Sequence, residues 1–102
     1  MPKCRCPPSV QVGGGVTSIG SYAFSDCTVL YDIILPASVT SIGTNAFNGC
    51  KNLAIVWCEE KVIPSGWSNS WLGNSKKDVT VYLGDDWYYN GSSPTLKINN
   101  EN

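Results

Sequence analysis

The stretch VTSIGSYAF (residues 16–24) returns 23 residues later as VTSIGTNAF (residues 39–47). When residues 16–30 are aligned with residues 39–53, nine of fifteen positions are identical. A fixed period of this size is typical of stacked units, each of which is too small to bury its own apolar face. The repeat therefore predicts a solenoid in which equivalent residues of successive coils lie above one another.

Within one unit the spacing of the apolar residues changes. In LYDIIL (residues 30–35), strand alternation directs Ile33 and Leu35 inward and Ile34 outward. Pro36 ends this strand because proline cannot donate a ladder hydrogen bond. A second extended piece follows, and then a bend at Gly43 and a short helical turn. The expected inward residues of this second half are Val39, Ile42, Ala46, Phe47 and Cys50.

The pattern L-x-x-I-x-L-P-x-S-V-T-x-I-G-x-x-A-F-x-x-C, which runs from Leu30 to Cys50, resembles the BspA-type leucine-rich repeat. The resemblance covers about residues 9–63. It implies an α/β solenoid: a short right-handed leucine-rich-repeat stack, mostly β and loop. A parallel sheet would form one face and short helical turns the other. The resemblance also implies an adhesin-like role, since such repeats are common in bacterial surface proteins.

The whole chain of 102 residues is predicted to be one leucine-rich-repeat domain. Residues 1–15 are a worn N-terminal strand and cap, residues 16–60 hold two clear repeats, and residues 61–102 form the C-terminal cap and tail. The segment CEEKVIPSGWSNSW (residues 58–71) resembles the closing unit of these arrays. Its Trp67 and Trp71 are expected to cover the open end of the core. Farther on, Asn90 and Gly91 are favourable for the turn of a hairpin.

Composition excludes several classes of function. Seven basic and eight acidic residues give a net charge of −1, and the basic residues are scattered, which argues against a nucleic-acid partner. No apolar run approaches the ~20 residues that span a bilayer, so no membrane insertion is expected. The N-terminus MPKCRCPPSV lacks the apolar core of a signal peptide. Sequence alone leaves the compartment open.

No catalytic, metal or cofactor site is predicted. The chain has no histidine, which removes the usual general base and the commonest metal ligand. Cys27 and Cys50 occupy equivalent positions in the repeat; buried thiols filling the core are expected, with a disulfide or metal pair as the alternative. Cys4 and Cys6 are expected to be an exposed pair. Adjacent Asp85 and Asp86 suggest acid–base chemistry on a sugar, but a solvated turn explains them better.

The outward residues of the sheet are the candidate binding site. Between the inward positions of successive strands, the repeat places large apolar side chains in an exposed row. Aromatic surfaces with little charge are typical of interface centres. Two alternatives remain, since the C-terminal tail can fold over the row or the row can mediate self-association. The predicted partner-binding residues are Gln11, Asp32, Ile34, Ile55, Trp57 and Tyr82.

We therefore expect a non-enzymatic module that binds a protein partner through its sheet face. It would be either adhesin-like or a small intracellular binder or inhibitor. One alternative is a structural C-terminal fragment of a longer array, because at least three units are normally needed for stability. Another is a carbohydrate-active protein that uses Asp85 and Asp86 with the aromatic residues after them.

Overall fold

In a computed structural model, which describes residues 7–97 (for residues 76–78 the backbone alone), the chain winds into a parallel β-solenoid. The described part is almost entirely strand and turn, and it contains no α-helix. One 3-10 helix, η1, spans Gly73–Asp78. The strands are β1 (Ser9–Gln11), β2 (Ser18–Ile19), β3 (Asp32–Leu35), β4 (Ser41–Ile42), β5 (Ile55–Cys58), β6 (Gly66–Trp67), β7 (Thr80–Tyr82), β8 (Trp87–Asn90) and β9 (Ser93–Leu96).

The larger sheet forms one face of the solenoid. Its strands are all parallel, in the order β1-β3-β5-β7. The register places Val10, Ile33, Val56 and Val81 side by side, because each strand begins one period after the last. Ile33 and Val56 are completely buried. Short strands with one aliphatic residue stacked on the next thus build the core without any long element.

A second parallel sheet lines another side of each coil. Its order is β2-β4-β6, with Ile19, Ile42 and Trp67 in register and all three buried. These strands are the second extended pieces predicted from the repeat. Gly66 is required here, because a Cβ at that position would lie 2.3 Å from the carbonyl oxygen of Thr40.

The segments expected to be short helical turns are tight turns instead. Their backbone N–H groups alternate between two kinds of acceptor. Ala46 N–H donates to Gly43 three residues earlier, whereas Asn45 and Phe47 N–H donate to Ser70 and Trp71 of the next coil. Asn45 has a φ of 58°, which no α-helix allows. Because half of the amides bond to the neighbouring coil, the helical i→i−4 pattern cannot form.

Aromatic rings stack along the inside of these turns. The rings of Phe24 and Phe47 are parallel within 3°, with centroids 5.1 Å apart. Trp71 meets Phe47 edge-on at 5.8 Å, and Trp67 meets Trp71 at 4.9 Å. The prediction that Phe24 and Phe47 lie one above the other is therefore confirmed. Trp67 and Trp71 are buried where the next coil departs from the repeat, as expected of residues that cover the core.

The cysteines follow the prediction in part. Cys58 is a fully buried thiol, and burial raises its pKa to about 12, with the nearby charge of Glu60 adding to the shift. The Cys50 thiol donates a hydrogen bond to the Phe24 carbonyl at 3.0 Å. The expectation of a thiol at Cys27 is wrong, since Cys27 is disulfide-bonded. Cys4 and Cys6 lie outside the described residues.

The chain after β7 forms the hairpin predicted around Asn90 and Gly91. Strands β8 and β9 pair antiparallel, with Asn90 opposite Ser93. Gly91 begins the two-residue turn with a φ of 69°, a conformation in which glycine has no steric penalty. This hairpin does not extend either parallel sheet. Its position over the larger sheet shapes the candidate site.

Candidate functional site

The predicted site residues share the outer face of the larger sheet. Gln11, Ile34, Trp57 and Tyr82 occupy matching positions on β1, β3, β5 and β7. Asp32 and Ile55 pair with each other two residues earlier on β3 and β5, and so lie on the same face. The repeat thus brings all six residues into two adjacent rows.

The prediction that these rows are fully exposed is wrong. Ile34 and Trp57 are only 7% and 6% exposed, because the side chain of Trp87 in β8 covers them. The ring of Trp57 lies between Trp87, at a centroid distance of 5.3 Å, and Tyr82, at 5.2 Å. Of the two alternatives, the folding of the C-terminal segment over the row is therefore the one found here.

Two polar contacts hold the hairpin on the sheet. The indole N–H of Trp87, which is buried, donates to the Cys58 carbonyl at 2.9 Å. The hydroxyl of Tyr89 donates to Glu59 Oε2 at 2.5 Å. Burial, followed by the hydrogen bond and the negative charge of Glu59, raises the pKa of Tyr89 to about 12, and a hydrogen bond with Gln11 partly offsets the shift. The phenol therefore stays neutral and donating throughout the physiological pH range.

A cleft of about 280 Å³ remains between the hairpin tip and the N-terminal half of the sheet. Three predicted site residues line it, namely Gln11, Asp32 and Ile34, whereas Ile55, Trp57 and Tyr82 do not. The complete lining consists of Ser9, Val10, Gln11, Asp32, Ile34, Ser92, Ser93 and Pro94. The three hairpin residues were missed because the Asn90–Gly91 signal predicts the turn but not the surface on which it lies.

Asp32 is the only charged residue of the cleft lining. Its carboxylate accepts the Ser9 hydroxyl at Oδ1, 2.5 Å away, and the Trp57 indole N–H at Oδ2, 3.1 Å away. Asp32 therefore connects β1, β3 and β5 on the outer face. The carboxylate is half-buried and keeps its position through two neutral donors.

A smaller notch of about 190 Å³ lies on the other side of the hairpin. It is lined by Glu59, Gly84, Trp87, Tyr88 and Tyr89. Both carboxylate oxygens of Glu59 already accept hydrogen bonds, Oε2 from Tyr89 and Oε1 from the backbone N–H of Ala37 at 3.2 Å. The notch is thus part of the hairpin attachment rather than a second open acidic site.

The residues considered for sugar chemistry are not part of either depression. Asp85 forms an ion pair of 3.6 Å with Lys61 in which both side chains are largely exposed. Neither Asp85 nor Asp86 lines the cleft or the notch. Within residues 7–97, no three His, Cys, Asp or Glu side chains converge as metal ligands. The same part of the chain contains no helix of the length and apolarity that crossing a membrane requires.

The stacked coils and their parallel sheets define a repeat solenoid. The model of the BspA type leucine rich repeat region (6 copies) matches residues 3–71, and the chain belongs to this family. No curated protein and no solved structure matches the chain. The family assignment suggests a protein-interaction repeat module, and leucine-rich repeat families are typically non-enzymatic.

Proposed function

We propose that this chain is a protein-interaction module whose partner binds in the cleft between the hairpin tip and strands β1 and β3. One observation carries the proposal: the hairpin covers the C-terminal half of the sheet face but leaves a lined depression over the N-terminal half. The sheet face of a solenoid is its usual binding surface. The partner-binding residues of the original row are then Gln11, Asp32 and Ile34, joined by Ser92, Ser93 and Pro94.

The chemistry of the lining supports a protein ligand. Gln11, Ser92 and Ser93 are exposed and offer amide and hydroxyl groups to a peptide backbone. Ile34 and Val10 supply an apolar surface beside them. A few placed polar groups around an apolar floor are typical of ligand sites in proteins. Ile55, Trp57 and Tyr82 act in this proposal as the packing that holds the hairpin in place.

The disulfide at Cys27 bears on the choice between the two forms of the proposal. Disulfides persist in oxidising compartments and are rare in the cytosol. This favours an adhesin-like role outside the reducing cytosol over that of an intracellular inhibitor. In that setting the cleft would recognise a protein on a neighbouring surface.

Blocking the cleft tests the proposal. A phage library of random heptapeptides is selected on the wild type, and the enriched peptides are then measured by calorimetry on two variants. Ser92→Trp fills the rim of the cleft, whereas Ser65→Trp adds the same side chain at an exposed serine that does not line it. We expect binding to Ser65→Trp to match the wild type and binding to Ser92→Trp to be lost, with unchanged circular dichroism for both.

Two results contradict the proposal. Enriched peptides that bind Ser92→Trp as tightly as the wild type place the interaction elsewhere. A selection that yields no binder favours the alternative of a structural unit in a longer array.

A further inference from the structure

We propose that the cleft recognises a lysine or arginine side chain in an extended segment of the partner, with the cation paired to Asp32. This inference rests on the proposed function and specifies the ligand chemistry of the same cleft.

The charge of the cleft is the first argument. Asp32 contributes one negative charge, and none of the eight lining residues is basic. Its two partners, the Ser9 hydroxyl and the Trp57 indole, are neutral, so the charge is hydrogen-bonded but not neutralised. An ionised carboxylate has about four acceptor positions, of which these contacts use two. A cationic donor entering the cleft finds the remaining positions free, whereas an anionic ligand is repelled.

The shape of the lining is the second argument. Lysine and arginine carry a charged head on an apolar stem. Asp32 lies on β3 two residues before Ile34, on the same face, so a carboxylate and an aliphatic surface stand next to each other. Val10 and Pro94 extend the apolar part of the lining. The stem can therefore lie on these groups while the head reaches the carboxylate.

Size and aromatic content distinguish this ligand from a sugar. The cleft of about 280 Å³ is just below the range of about 300–1,000 Å³ that holds drug-sized ligands, which suits one long side chain better than an oligosaccharide. No aromatic ring lines the cleft. The nearby rings of Trp57 and Trp87 are buried against each other and offer no flat surface to a sugar ring.

The test uses short synthetic peptides and amide chemical shifts. Acetylated, amidated Gly-Ser-Lys-Ser-Gly and its arginine analogue are titrated into ¹⁵N-labelled full-length protein, beside a norleucine analogue that keeps the stem without the charge. We expect shifts at Gln11, Asp32 and Ser93 with the two cationic peptides and much smaller shifts with norleucine. Binding of the cationic peptides should weaken as salt is raised, because salt screens the ion pair.

Two matched variants locate the charge. Asp32→Asn keeps the shape of the side chain and should reduce affinity for the cationic peptides about tenfold or more, since a charge-assisted hydrogen bond is lost. Asp85→Asn removes an equal charge outside the cleft and should leave affinity unchanged. The salt dependence is measured on the wild type and decides the question even where Asp32→Asn folds poorly.

Several outcomes overturn the inference. Equal binding of the norleucine and lysine peptides, absence of shifts with every peptide, or shifts at the same amides with glucose or N-acetylglucosamine alone would each do so. The display experiment separates this failure from that of the proposed function. Peptides that are blocked by Ser92→Trp but lack any lysine or arginine leave the cleft as the docking site and remove only its cationic specificity.

Discussion

Replacing Trp87 with alanine should detach the hairpin and leave the solenoid folded. Trp87 is only 4% exposed, packs on Trp57 and Tyr89, and donates to the Cys58 carbonyl. Truncation of a buried tryptophan to alanine costs about 3–5 kcal/mol. A two-stranded hairpin without such packing is at best marginally stable in water. The cost should therefore appear as undocking of β8 and β9 rather than as loss of the whole fold.

Amide hydrogen exchange measures this difference directly. The Lys97 N–H donates to Asp86 and closes the base of the hairpin, whereas the Phe47 N–H donates to Trp71 inside the stack. A loss of about 3 kcal/mol in docking raises the exchange rate of the Lys97 amide roughly a hundredfold. The Phe47 amide should change much less, because its bond lies between coils that the hairpin does not form.

Tyr88→Ala is the matched control. Tyr88 neighbours Trp87 on the same strand but is 47% exposed, so its removal should leave exchange at Lys97 nearly unchanged. Equal acceleration at Lys97 and Phe47 in Trp87→Ala would show that the hairpin and the solenoid unfold as one unit. No acceleration at either amide would show that Trp87 does not hold the hairpin. Either result refutes the reasoning.

Two further predictions concern the core and the response to pH. Phe47→Ala should lower the free energy of unfolding by about 3–5 kcal/mol in urea titrations, whereas Phe24→Ala should cost less because its ring is only half-buried; equal costs would contradict the stacking argument. Folding raises the pKa of both Cys58 and Tyr89 to about 12, so their contributions to stability are complete below pH 9 and pH 10 respectively and are lost as pH rises toward 12. Tyr89→Phe should lose less stability than the wild type between pH 10 and pH 12, and absorbance at 295 nm should lose its component near pH 12; a component that persists would assign it to another residue.

The repeat carried most of the fold into the sequence. Because each strand begins one period after the last, the register of Ile33 on Val56 follows from counting residues. The hairpin was also predictable, since Asn90 and Gly91 specify a local turn. Such features depend on neighbours in the chain or on the period alone.

The cover over the sheet could not be predicted in the same way. Asp32, Ile34 and Gln11 were identified because the repeat determines which way they face. Whether Trp57 meets water or Trp87 depends on contacts between segments with no shared period, and so on packing energies that no spacing encodes. The turns posed a related difficulty. Ala46 and Phe47 have apolar spacing that a helix would also satisfy, and the deciding hydrogen bonds run to another coil.

The sharing of amides between turns has a consequence for how such a protein can change in length. Phe24 N–H bonds to the carbonyl of Ala46, and Phe47 N–H bonds to that of Trp71. Duplication of one full period would repeat these donors and acceptors in the same order, so an inserted coil could join its neighbours without orphaning any of them. An insertion of a few residues inside a turn would shift every later donor off its acceptor. Lengthening of the chain is therefore tolerated in whole periods and penalised in between.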